Sequence, residues 1–335
     1  MVQLLVRATL VAQILVDAVV FGSARTAQSI AVGNRTTHTP SSIEWPTVLV
    51  AVGCWGGWIA LLVWHDVLPW PITVAGFALM CGWYTSLQHE VIHGHPTPWR
   101  TVNTALGWMP LHLWLPYRTY SDSHLLHHEV ELTVPGVDPE SFYVSPEQWE
   151  RASTVRRMLL QSNRTFVGRL LVGPLLGPPA LVWSEVRGAR TDRAKARTWG
   201  VHLVAVGVIG WVVFGLAEVP VWQYLVGYTY LGLSVTYMRS FVEHLAVPAP
   251  GTRCAMVRSG RFFGLLYLNN NLHHTHHAFP GAAWYRLPRL TRELGAEEMA
   301  AEGAGLYRGY ADVIRRYGVR PFSQPVDPLA EHVAS

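Results

Sequence analysis

Long uncharged runs alternate along this chain with polar segments that hold most of its histidines. No charged residue occurs from Pro46 to Trp64, and after a short turn at 65–69 a second uncharged run extends from Trp70 to Leu87. Each is close to the ~20 residues that an α-helix needs to cross ~30 Å of hydrocarbon, so the pair predicts a helical hairpin ending at His89. The uncharged runs Trp199–Leu216 and Val219–Tyr237, joined through Ala217 and Glu218, predict a second hairpin. Two other apolar stretches fit a crossing less well. Ala105–Leu115 is short and holds Pro110 and His112, which reads as a re-entrant or interfacial turn. Phe166–Trp183 is interrupted by Gly173, Pro174, Gly177, Pro178 and Pro179 and reads as interfacial. Residues 1–22 are apolar but carry Arg7 and Asp17, and three readings stay open for them: an interfacial helix, a poor spanning helix or a leader segment. The expected organisation is an apolar segment and loop at 1–45, a membrane domain at 46–290 and a polar C-terminal segment at 291–335.

Composition sharpens this picture. Half of the 335 residues are hydrophobic and 14% are charged, against about a quarter charged in soluble domains. The fold class is therefore expected to be all-α: a polytopic helical membrane protein with four long transmembrane helices in two hairpins. The net charge of +4 is spread without basic tracts, which argues against a nucleic-acid partner. Cys54, Cys81 and Cys254 form no Cys-x-x-Cys pair, so a built-in iron–sulfur or rubredoxin-type centre and a disulfide framework are both excluded. Between 151 and 197 lie ten basic residues, whereas neither hairpin turn holds an arginine or lysine. The positive-inside rule then puts both turns outside and the arginine-rich region in the cytosol. Even numbers of crossings separate the histidine clusters, so all of them emerge on that face, beneath a cytosolic cap formed by the C-terminal residues.

The candidate chemistry lies in those clusters. His124-Leu125-Leu126-His127-His128 and His273-His274-Thr275-His276-His277 share one spacing, and His89-Glu90-Val91-Ile92-His93 adds an i, i+4 pair. On a helix turning about 100° per residue, His273, His276 and His277 fall within a ~100° arc, with His274 one step outside it. A lone histidine is usually a hydrogen-bonded structural side chain, and His38, His65, His112, His202 and His332 take that reading. The other eleven of 16 lie in or near the clusters, among them His95 and His244. One ion takes roughly four to six ligands, so this supply suits two ions, and imidazole alone leaves the metal open. His244 directly follows the fourth run and is expected to be a ligand; His95 and His274 are secondary candidates. Glu90, Asp122, Glu129 and Glu243 are expected to orient imidazoles from behind. His89-Glu90-x-x-His93 is also formally the zinc metalloprotease pattern, with Glu90 as general base, but that reading leaves the other clusters without a purpose. A metal-storing or metal-transporting protein would need ligands inside the crossings, where His202 is the exception to an otherwise bare record.

Three boxes of the form H-x-x-x-H, H-x-x-H-H and H-x-x-H-H, separated by a membrane hairpin, resemble the membrane fatty acid desaturase and hydroxylase superfamily. The resemblance covers roughly Pro46 to Pro288 and extends to Gln88-His89-Glu90, Asp138-Pro139-Glu140-Ser141 and Trp284-Tyr285-Arg286-Leu287-Pro288. It implies a diiron centre carried by His89, His93, His124, His127, His128, His244, His273, His276 and His277. Asn269, Asn270 and Asn271 would act as water-mediated or outer partners. Dioxygen would be the co-substrate, and an acyl chain of a fatty acid or lipid would be desaturated. The alternative within the superfamily is a hydroxylase or ketolase acting on an alkane, carotenoid or other lipid-like substrate. Some relatives carry a fused cytochrome b5 domain with a His-Pro-Gly-Gly motif, which this sequence lacks. The resemblance then implies a separate electron donor: a ferredoxin, rubredoxin or cytochrome b5 fed by an NAD(P)H reductase. An acidic carrier would suit the arginine-rich loop, although lipid headgroup contact and topology account for those arginines better.

Overall fold

The computed structural model describes residues 36–329. Residues 1–35, with their three readings, and His332 lie outside the described residues. In chain order the helices begin with α1 (Trp45–Trp64), α2 (Trp70–Ile92), α3 (Arg100–Gly107) and α4 (Tyr117–His127). Two short helices, α5 (Pro146–Glu150) and α6 (Thr154–Ser162), precede the long α7 (Phe166–Ala189) and α8 (Arg193–Gly210). Then come α9 (Val221–Tyr224), α10 (Gly232–Ser240), α11 (Arg261–Leu266), α12 (His273–Ala278), α13 (Leu287–Leu294), α14 (Ala296–Glu302) and α15 (Tyr310–Tyr317). Among the described residues, strand pairing is limited to a parallel pair, β1 (Met256–Val257) on β2 (Leu306–Tyr307), and a few isolated bridges.

The chain divides into two compact units, one of residues 39–121 and 175–233, the other of 122–174 and 234–329 with 36–38. In the first unit, Pro46 and Pro71 stand in the opening turns of α1 and α2, where a missing N–H leaves no bond unmade. Apolar and aromatic side chains fill its core: Trp58, Leu62, Phe77, Leu87, Tyr224 and Tyr228 are almost fully buried, each contributing about 1.5–3 kcal/mol by burial for the aliphatic and phenyl groups. The stretch expected to be re-entrant leaves the helix after Gly107 and runs irregularly. Its carbonyls are taken by side chains: Tyr84 Oη donates to Met109 O at 2.8 Å and Tyr224 Oη to Leu111 O at 2.7 Å. Irregular backbone within an apolar surround persists only when its polar groups are answered this way.

Among the described residues, three helices are long and apolar enough to cross a membrane: Trp45–Trp64, Phe166–Ala189 and Arg193–Leu216, the last being α8 continued by a π-helical stretch. The second of these differs from the expected interrupted segment in the continuity of its backbone. Residues 166–183 do not break at their glycines and prolines but form one continuous helix of 24 residues. Pro174 cannot donate to the carbonyl of Leu170, four residues back, and the Ser234 hydroxyl donates to that carbonyl instead at 2.7 Å. The fourth expected run is a composite of α9, a π-helical stretch Leu225–Leu231 and α10. Its glycines permit close approach to α2. A Cβ on Gly227 would meet Val74 O at 2.8 Å, and one on Gly232 would meet Cys81 Cβ at 2.4 Å.

Candidate metal centre

In the second unit, box two occupies the end of α4, where His124 and His127 share a face and His128 follows. Box three forms α12 itself. That short helix has no side-chain cap at its start, and contacts from elsewhere fix it. Val257 N donates to Asn271 O at 2.9 Å, Asn271 Nδ2 donates to Val257 O at 2.7 Å, and the Thr275 hydroxyl meets that of Thr291 at 2.8 Å. His244 stands in a short hairpin, bridged to Cys254 on the returning strand. Buried Arg253 ties that hairpin to the segment after box two through Glu131 Oε1 and Leu132 O, both at 2.9 Å.

These elements bring together two sets of imidazoles. His127, His244, His273 and His277 offer one nitrogen each, all within 4.8 Å of one another. The Nε2 of His244 lies 3.1 Å from that of His127 and 2.9 Å from that of His273, which in turn lies 3.1 Å from His277 Nε2. In the other set, His128 Nε2 lies 3.2 Å from His124 Nε2 and 3.1 Å from His276 Nε2. In the first unit, His89 and His93 occupy the last turn of α2 and its cap, buried, with ring centroids 4.9 Å apart and Glu90 buried beside them.

The opposite edges of these rings decide what the Nε2 atoms present. His127 Nδ1 lies 2.7 Å from Asp138 Oδ1, and His124 Nδ1 lies 3.1 Å from Glu140 Oε1. His273 Nδ1 lies 3.2 Å from Asn270 Oδ1 and 3.5 Å from Glu243 Oε1. The oxygens of Asp138, Glu140 and Asn270 accept, so each Nδ1 carries the proton and each Nε2 of a neutral ring presents a lone pair. His127 and His273 therefore both aim lone pairs at His244, whose Nε2 can donate to only one of them. Lone pairs that face each other across about 3 Å are what a bound cation resolves, so the residues present fit a metal ion.

Electrostatics agree with that fit. Burial, aided by neighbouring imidazoles, pushes His273 and His277 well below the usual histidine range and His244 down to about 3, so these rings are neutral donors at neutral pH. Burial pushes His127 down as well, but Glu140 and Asp138 outweigh it and raise this imidazole above its ordinary value. Glu140, although burial pushes it up, is drawn down to about 2 by His124 and His127. Anions that favour a proton on His127 favour a metal cation there by the same field.

Asp138 and Glu140 were quoted in the sequence only as part of a matching string, and their role emerges from the fold. A turn holds Asp138, whose carboxylate accepts from Thr133 N and Glu140 N, both at 2.9 Å. Asp122 and Glu129, expected in that position, are exposed. Asn270 and Glu243 stand behind His273. The remaining candidates are engaged elsewhere. His95 Nδ1 lies 2.6 Å from Glu44 Oε2, His274 Nε2 donates to Gly251 O at 3.1 Å, and Asn269 Nδ2 donates to Trp284 O at 3.1 Å.

Apolar helices of membrane-crossing length and convergent imidazoles that could hold a metal ion are the two features that mark the class of this chain. The profile of the fatty acid desaturase family matches residues 63–310, which include all three boxes and His244. The chain belongs to that family of iron-dependent membrane oxidoreductases. No individual curated protein matches the chain closely enough to add a substrate to this assignment.

Proposed function

We propose that this chain is a multi-pass membrane enzyme in which nine imidazoles hold two iron ions for the activation of dioxygen, and that it desaturates the acyl chain of a fatty acid or lipid. The convergence of Nε2 lone pairs from box two, His244 and box three carries this reading. His127, His244, His273 and His277 make one donor set. His124, His128 and His276 fall short of the roughly four to six donors an ion takes, and among the boxes His89 and His93 are the imidazoles left to supply the rest. Bound there, iron would provide the oxidising power to remove hydrogen from an unactivated carbon. Asp138, Glu140 and Asn270 hold protons on the far nitrogens, which keeps the near ones available as donors. A hydrocarbon chain offers no hydrogen bonds, so its reacting carbon must be positioned by a shaped apolar tunnel.

Topology supports an even number of crossings between boxes two and three, because His128 and His276 meet within one unit. Of the apolar segments between them, two then cross and one lies in the interface. The segment with Arg169 and three prolines, α7, is the natural interfacial one, and the basic turn Arg187–Arg197 faces the cytosol with the boxes. Electrons come from a separate ferredoxin, rubredoxin or cytochrome b5 with its NAD(P)H reductase, because the three buried cysteines form no cluster site.

Metal content and product analysis test the reading on protein from iron-replete cells. Two irons per chain and oxygen-dependent loss of two hydrogens are expected. Gain of one oxygen would reassign the enzyme as a hydroxylase or ketolase. One tight zinc, no iron and hydrolytic activity would replace the oxygenase reading with a His89-Glu90-His93 hydrolase.

A further inference from the structure

The imidazoles of the four-histidine set are not held alike. His127 has the Asp138 carboxylate behind it, and His273 has an amide oxygen and the Glu243 carboxylate. Behind His244 stand a sulfur and a backbone group: its Nδ1 lies 3.6 Å from Cys254 Sγ, and the ring also has the main chain of Arg253 as a hydrogen-bond neighbour. The contact is built into the backbone. His244 and Cys254 are bridged across an antiparallel hairpin, with Leu245 N donating to Arg253 O at 3.1 Å and Ala255 N donating to Glu243 O at 2.9 Å. Arg253, beside the cysteine, anchors the returning strand, and both Arg253 and Cys254 are buried. The hairpin therefore fixes which side chain meets His244 Nδ1.

We propose that Cys254 is a positioning residue for the metal centre, its sulfur accepting the Nδ1–H of His244 so that Nε2 faces the four-imidazole set. This rests on the metal-site reading above and adds an inequality between the two ions. Sulfur is a weak acceptor, so what Cys254 adds behind His244 is smaller than what the Asp138 carboxylate adds behind His127. Loss of an outer hydrogen-bond partner typically weakens metal binding 10–100-fold, and a weak partner belongs at the lower end.

The test compares full-length wild type, Cys254→Ala and Cys254→Ser, loaded with ⁵⁷Fe in detergent. Chelator competition and Mössbauer spectra are the readouts. In Cys254→Ala, one of the two irons should be lost about tenfold more readily, and one of two quadrupole doublets should change while the other does not. Cys254→Ser keeps an acceptor and should recover most of both; it also carries the test should the alanine variant fail to fold. Unchanged iron retention and spectra in Cys254→Ala overturn the proposal, and so does an equal effect in both variants, which would mean that volume rather than the hydrogen bond matters. Two irons in wild type with silent variants defeats this inference alone. A wild type that binds no iron defeats the metal-site reading and this proposal with it.

Discussion

Buried polar groups are treated in opposite ways in the two units. In the first, several are answered by a backbone carbonyl: Tyr84 by Met109, Tyr224 by Leu111, His202 by Leu113 and half-buried His65 by Ala217. Around them, tight apolar packing decides stability. In the second, imidazoles face imidazoles, and their far edges are held by Asp138, Glu140, Asn270 and Cys254. The contrast separates a structural histidine from a ligand by what each nitrogen meets. A donor on an acceptor is a finished interaction, whereas two acceptors about 3 Å apart need something between them.

The largest effect should come from removing a donor of the second unit. His127→Ala or His276→Ala should weaken iron binding by more than about 100-fold, above the range for outer partners, and abolish turnover. The control is His65→Ala, which loses one bond to Ala217 O and should cost about 1 kcal/mol of stability with iron unchanged. Elemental analysis and thermal unfolding of the same samples check both, and full iron and activity in His127→Ala would erase the distinction.

Asp138→Asn should lower iron affinity by about 10–100-fold, measured by chelator competition. It also has a metal-free signature. Because Asp138 and Glu140 raise His127 above its ordinary 6.5, the stability from this group is fully present below pH 6.5 and is lost as pH rises through the raised value. Asp138→Asn should bring the His127 titration, followed by NMR, to lower pH; no movement would remove Asp138 from that role.

Packing is the sensitive quantity in the first unit. Gly232→Ala would drive a methyl against Cys81 and should cost about 1–3 kcal/mol in thermal unfolding, with iron affinity unaffected. In the second unit, Ser234→Ala leaves the Leu170 carbonyl above Pro174 without its donor, at a cost of about 1 kcal/mol. Hydrogen exchange near Leu170 should rise selectively. Unchanged protection there would mean that water or a shifted backbone already satisfies the carbonyl.

Much of this molecule was legible from short-range pattern. The i, i+3, i+4 spacing of His273, His276 and His277 forces their side chains to one side of any helix, and uncharged runs of membrane length identify α1 and α8 by length alone. The path of 166–189 was not legible. Its prolines argue locally for a break, and the hydroxyl that repairs the freed carbonyl lies 64 residues away. His95 had Glu44 as partner from a segment read as loop, a pairing that no spacing signals.

The sequence by itself determined the donor type, the three boxes and the apolar runs, because helix geometry and membrane thickness are fixed and act over a few residues to about twenty. Tertiary structure alone decided what stands behind each imidazole: Asp138 for His127, Glu140 for His124, Cys254 for His244. A hydrogen bond requires atoms to meet within about 3 Å, and for residues in separate turns and hairpins only the packed chain determines that meeting.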